Sequence, residues 1–186
     1  MRCSNVVATQ TRAVRGPGGV AAVLKIYSED DHSKDRHDCR ADYQLLLLPA
    51  NGGPALVVKL LSSDAGWARP LSVQLDGFSH DGKRLFGVPY EGGKYAFATL
   101  FDYDITSREA KLIDFKRGLA QLKAVKCGAR VAVAGTTGNG SIVVEPNTAD
   151  QCPSNDRWLL DPSTGELALL PLEQAVVGLY RADRQR

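Results

Sequence analysis

Two stretches of the chain repeat each other. Asp104-Ile-Thr-Ser-Arg-Glu109-Ala-Lys-Leu-Ile113 matches Asp161-Pro-Ser-Thr-Gly-Glu166-Leu-Ala-Leu-Leu170 at an offset of 57. Each reads as a strand ending in Asp, a tight turn of small polar residues, a Glu and a second strand. That is a β-hairpin: the Asp side chain bonds the turn backbone, and Gly165 can supply a positive φ. Leu48-Pro-Ala-Asn-Gly-Gly53-Pro-Ala-Leu-Val57 is a weaker copy, roughly 55 residues earlier. Upstream of each hairpin lies another apolar stretch: Val20–Tyr27, Arg84–Val88 and Arg130–Ala134. A repeat of this period constrains the chain to about three similar units. One unit of this size cannot bury both of its faces, so the units must stack.

Short apolar runs separated by Gly, Pro, Asn and Asp fill the remainder. Tyr43–Leu48, Leu56–Leu61, Leu71–Leu75, Tyr95–Tyr103, Lys111–Phe115, Ser141–Glu145, Trp158–Asp161 and Leu167–Leu172 all read as strands. They are too short for helices and too frequent for a βαβ pattern. One stretch competes: Leu112, Phe115, Leu119 and Leu122 fall at helical spacing within Glu109–Val125. The expected fold is all-β, with about three antiparallel four-stranded units at 19–64, 65–118 and 119–175. Residues 1–18 form a polar arm ending in the turn-rich Arg15-Gly16-Pro17-Gly18, or carry an edge strand at Val6–Thr9. The 186 residues make a single domain beyond that arm.

The middle unit carries a pattern. Gly77-Phe78-Ser79-His80-Asp81-Gly82-Lys83-Arg84-Leu85-Phe86-Gly87 resembles the F-S-P-D-G-K-R-I-A-F signature of the TolB-like (PD-type) β-propeller repeat. Leu100-Phe101-Asp102-Tyr103-Asp104 and Lys111–Phe115 then look like the third and fourth strands of such a blade. The resemblance covers Leu71–Phe115 and is fainter in the other two units. His80 replaces the usual Pro, and the first unit lacks the Asp-Gly-Lys turn. The resemblance implies a propeller-like fold and a role in protein binding; its motif marks a turn and no activity. Propellers close with about 4–8 blades, and three units leave open edges. Three resolutions stand: two chains joining as half-propellers in a homodimer, the arm and tail completing a fourth sheet, or a threefold closure like a β-trefoil. No repeated Q-x-W supports the last.

Charge excludes one partner class. The 23 basic and 21 acidic residues are dispersed, and a net charge of +2 argues against nucleic acid. No run approaches the ~20 apolar residues of a membrane helix. The first nineteen residues show no signal peptide, so the protein is cytoplasmic, or its start follows a removed leader. The cysteines favour the second, extracytoplasmic reading. Cys3, Cys39, Cys127 and Cys152 are even in number and fit no metal or redox spacing, and Cys39 and Cys152 sit in polar segments. Two disulfides are expected, with the pairing open; a Cys39–Cys152 bond is one guess.

The candidate sites follow. Glu29–Cys39 holds two of the three His residues among several carboxylates. His32, His37 and Asp38 could ligate a divalent metal if the loop folds back, although Lys34, Arg36 and Arg40 oppose a cation. The plainer reading is a solvated insertion. A second insertion, Thr136–Asp156, occupies the equivalent place in the third unit, so both should lie on one rim, where scaffolds carry binding function. Asp31 and Asn147 on these insertions, with Trp67 in the loop Asp64–Pro70, are the candidate binding residues. Ser79-His80-Asp81 has triad residue types, but consecutive side chains diverge, so it reads as a turn. Gly135–Ser141 lacks the ending of a phosphate loop and reads as a hairpin turn at Asn139-Gly140. Trp158 is expected in the core, and Tyr90, Tyr95 and Phe97 are expected to flank a hairpin at Glu91–Gly93. The expected function is non-enzymatic recognition of a protein or peptide, with no cofactor. The alternative is a metal-dependent hydrolase, or its remnant, using His32, His37 and Asp38.

Overall fold

The computed structural model describes residues 7–9, 13–29, 39–60, 72–91, 94–95, 99–115, 118, 131–146 and 157–181. Among them there is no helix, and the strands form three antiparallel sheets. Sheet 1 contains β1 (Val7–Thr9), β2 (Val14–Gly16), β3 (Gly19–Glu29), β4 (Cys39–Pro49) and β5 (Leu56–Lys59). β1 and β2 share one edge of β3; β4 and then β5 follow on the other side. The edge strand expected at Val6–Thr9 is β1, and β2 adds a second piece on the same edge of β3. Val14 is buried in the core, which ties the segment down.

Sheet 2 runs β6 (Ser72–Phe78), β7 (Arg84–Glu91), β9 (Thr99–Asp104), β10 (Glu109–Asp114), with the two-residue β8 (Lys94–Tyr95) pairing β7. Tyr90 and Tyr95 are partners across that hairpin, as expected. Glu109–Asp114 is strand and not helix, because all six residues pair with β9. Sheet 3 runs β15 (Val176–Gly178), β11 (Val131–Thr137), β12 (Ile142–Pro146), β13 (Trp158–Leu160), β14 (Leu167–Leu169). The second insertion expected from Thr136 is shorter than drawn. Thr137–Ser141 is a tight turn with Gly140 at φ 83, and β12 follows it at once.

Sheet 2 is the middle layer. Its successive residues point to opposite faces, so Leu85 and Phe101 enter one core while Phe86 and Leu100 enter the other. The first core joins Val14, Ala21, Val23, Leu45 and Leu47 of sheet 1 to Val73, Phe78 and Tyr103. The second joins Ile113 and Phe115 to Val133, Ile142, Val144, Trp158 and Leu160 of sheet 3. Burial on both faces explains why β9, Thr-Leu-Phe-Asp-Tyr-Asp, shows no alternation of apolar and polar residues.

β15 stitches two sheets. It pairs with β11 through Gly135↔Gly178, Thr136↔Val177 and Thr137↔Val176. Two residues later Tyr180 bridges Phe78 of β6, its N–H donating to the Phe78 carbonyl at 2.9 Å and its carbonyl accepting from Phe78 at 3.0 Å. The His80 ring stacks on Tyr180 with centroids 5.6 Å apart. Both receiving strands are bulged just there, between Leu75 and Gly77 and between Val133 and Gly135. A Cβ at Gly77 would overlap the Tyr180 carbonyl oxygen, and one at Gly135 would overlap that of Val177. These glycines admit another backbone.

Candidate functional site

The tight turns of the three sheets gather at one end. Gly18, between β2 and β3, lies against Gly82 and Ile105. The Ile105 N–H donates to the Lys83 carbonyl at 2.8 Å. Arg84 donates from Nη1 to the Gly140 carbonyl at 3.2 Å. The opposite strand ends carry the connections from second to third strand: 30–38 between β3 and β4, the β8 hairpin in sheet 2, and 147–156 between β12 and β13. β3 and β4 are paired without interruption from Gly19↔Pro49 to Glu29↔Cys39. β1 reaches only Ile26 and β5 only Gln44, so the last pairs form a two-stranded ribbon.

Most candidate residues from the sequence lie outside the described residues: Asp31, His32, His37, Asp38, Trp67, Asn147, Cys3, Cys127 and Cys152. The backbone of Cys39 opens β4 opposite Glu29, so it stands in a strand and not in the loop expected from its polar neighbours. Among the described residues no three His, Cys, Asp or Glu side chains are placed to share a metal ion. Ser79-His80-Asp81 is a turn, as expected. The Ser79 hydroxyl donates to Asp81 Oδ1 at 2.7 Å and accepts the Arg84 N–H at 2.9 Å. That hydroxyl and the Lys83 N–H hold the Asp81 carboxyl below its usual range.

The twin hairpins are built alike. Asp104 Oδ1 accepts the N–H groups of Thr106 and Ser107 at 2.8 and 3.0 Å. Asp161 Oδ1 accepts those of Ser163 and Thr164 and the Ser163 hydroxyl, which hold its pKa down at about 2. In both loops the fourth residue after the first turn position is left-handed: Gly165 at φ 69, and Arg108 at φ 62. A left-handed arginine costs about 1–2 kcal/mol that glycine avoids. Among the described non-glycine residues Arg108 alone has a positive φ.

Arg84 sits where two grooves meet. Its Nε donates to Asp102 Oδ1 at 3.0 Å and its Nη2 to Oδ2, a two-point pair with the guanidinium 4.8 Å from the Phe86 ring centre. The larger groove, about 800 Å³, runs between β5 and β10 and is lined by Val58, Lys59, Leu60, Arg108, Leu112 and the turn residue Ser163, with Arg84 and Asp102 in its wall. The smaller, about 630 Å³, lies between Arg84 and the Asn139–Ile142 and Asp161–Ala168 segments. Sequence reasoning missed both. Only the alignment of Arg108 with Gly165 carried a usable signal.

A second charged network underlies β15. Asp76, at the β6 bulge, accepts the Val133 N–H at 3.2 Å. Arg181 donates to the Val133 carbonyl at 2.9 Å and pairs with Glu145 at 3.5 Å. Burial pushes the Asp76 carboxyl up to about 6, against the downward pull of Val133 and Arg181; Glu145 adds to the rise. The folded state therefore holds this proton more tightly than the unfolded chain does. The stability it brings is complete below the ordinary carboxylate range and is lost as pH rises from about 4 through 6. Asp76→Asn is expected to remove that slope and to raise stability at pH 7.5 by on the order of 2 kcal/mol. Urea midpoints measured from pH 4 to 7.5 check this, and a slope equal to that of the parent would refute it.

No family model matches the chain, and no curated protein matches it. The fold is all-β, three antiparallel sheets with no helix among the described residues. Among solved structures the chain is similar to "The beta-propeller domain of the Trilobed protease from Pyrococcus furiosus reveals an open velcro topology", with 8% identity and a TM-score of 0.40. The match covers 91% of this chain and 44% of that one, so this chain spans less than half of that protein's length. Among the described residues no helix is long and apolar enough to cross a membrane.

Proposed function

We propose that the protein is a non-enzymatic binding domain that recognises a protein or peptide through the connections on one rim, its sheets being TolB-like blades. One observation carries the reading. The tight turns occupy one end, and the longer connections 30–38 and 147–156 leave from equivalent positions at the other, one of them on a projecting ribbon. Variable connections held by a rigid sheet scaffold are where binding residues concentrate. Asp31, Asn147 and Trp67 are the residues proposed to contact the partner. The Phe78–Arg84 turn joins first and second strands of sheet 2, which is the place the TolB-like pattern gives it. Disulfides among the four cysteines, an extracytoplasmic location and closure by a second chain belong to the same proposal.

The test replaces 30–38 and 147–156 each by an Asn-Gly turn. Peptides selected from a displayed random library on the parent protein are expected to bind the double replacement at least ~tenfold more weakly, with melting unchanged within a few degrees. Peptides that bind both proteins alike would refute the rim. A stoichiometric divalent ion, lost in His32→Ala/His37→Ala, would move the reading to the metal-dependent hydrolase.

A further inference from the structure

We propose that the groove between β5 and β10 binds an extended acidic peptide, a carboxylate of which is held by Lys59 and Arg108. This site lies at the turn end and is independent of the rim.

The charges select the ligand. Lys59, Arg84, Arg108 and Lys111 line the groove, and Asp102 is the carboxylate among its described lining residues. Asp102 is already engaged by Arg84 at two points. Lys111 has only an exposed contact with Glu109 at 3.8 Å. Lys59 and Arg108 line the groove and have no hydrogen-bond or ion-pair acceptor among the described residues, so the lining carries two uncompensated cationic residues. Asp102 in the wall disfavours a doubly charged anion and leaves a single carboxylate as the better match.

The walls select a peptide. Among the described residues β5 and β10 are each the last strand of their sheet, with no described strand beside them on that side. Terminal strands offer backbone groups to an added segment, and pockets beside them take alternate side chains. Val58, Leu60, Phe101 and Leu112 supply an apolar floor for such side chains.

Arg108 supplies the independent observation. It occupies the left-handed position that its repeat partner gives to Gly165, and it is one of the residues that line the groove. Backbone strain kept at one copy of a repeat, where the other copy avoids it, marks a side chain retained for its position.

The test uses the full chain and a fluorescein-labelled, N-acetylated, C-amidated octapeptide alternating Glu and Val. Fluorescence anisotropy is expected to show saturable binding, at least ~tenfold weaker for the Gln-Val counterpart. Lys59→Gln and Arg108→Gly are each expected to weaken binding by roughly tenfold. Arg108→Gly is also expected to melt ~2–4 °C higher, because glycine relieves the turn, so its lost binding cannot come from unfolding. No saturable binding, equal binding of the two peptides, or unchanged affinity in a stabilised Arg108→Gly would overturn the proposal. Displacement of the peptide by inorganic phosphate at lower concentrations than by acetate would also overturn it, and would assign the groove to free phosphate. The double rim replacement is expected to bind the Glu-Val peptide normally, so the two sites succeed or fail separately.

Discussion

Gly77→Ala is expected to lower stability by about 2–4 kcal/mol, and Gly135→Ala by a similar amount. Neither position tolerates a side-chain carbon. The new Cβ would meet a backbone carbonyl, that of Tyr180 in the first case and of Val177 in the second. A flexible side chain could swing aside, but a carbonyl fixed in a strand cannot move without its strand. Gly77 also has φ 155, which alanine adopts with strain. Once the 176–180 segment leaves, Phe78 loses both bonds to Tyr180, and the first-strand edges of β6 and β11 are uncovered. Urea unfolding gives the size of the loss, and amide exchange gives its location. Phe78 and Tyr180 should exchange faster in Gly77→Ala. A variant of full stability with those amides still protected would refute the clamp.

Arg84→Leu is expected to cost about 2–3 kcal/mol at neutral pH. Removing one partner of a buried pair leaves the other charge uncompensated, which typically costs 3–5 kcal/mol, and exposure of a quarter of Arg84 reduces that figure. Asp102 is the buried member, 8% exposed, and it would lose the guanidinium that offsets its desolvation. The bond to Gly140, which ties the β11–β12 turn to sheet 2, is lost in the same change. Arg84→Leu/Asp102→Leu should recover much of the loss, because two apolar groups desolvate without penalty. A thermodynamic cycle over the pair checks this. Equal stability of Arg84→Leu and the parent would mean that the pair contributes nothing.

The architecture was legible because the repeat is local. Asp104 and Asp161 each bond their own turn, so the hairpin pattern survives in a ten-residue window. The expectation that Trp158 is core held for the same kind of reason: it sits in an apolar run. The edge strand at Val7–Thr9 was legible, but the polar look of Val14–Gly16 hid β2, because Val14 is one buried residue beside neighbours that are not. The groove was illegible. Lys59, Arg84, Arg108 and Asp102 come from distant segments and converge only when sheets 1 and 2 face each other across their core. The β15 stitch was hidden too, because a three-residue strand has no periodicity to read, and its pairing with Phe78 depends on glycines far upstream.

That stitch sets an order of events during synthesis. Phe78 emerges about a hundred residues before Tyr180. Through that interval the outer hydrogen-bonding row of β6 meets no strand among the described residues, although sheets 1 and 2 can already close their shared core. A nascent chain in this state presents a bare edge shaped by a bulge, and Gly77 keeps it open to any incoming backbone. The risk of pairing with a neighbouring ribosome's product is then greatest just before 176–180 arrives, and falls when it does. Slow translation between residues 115 and 175 should therefore raise the aggregated fraction more than slow translation before residue 72.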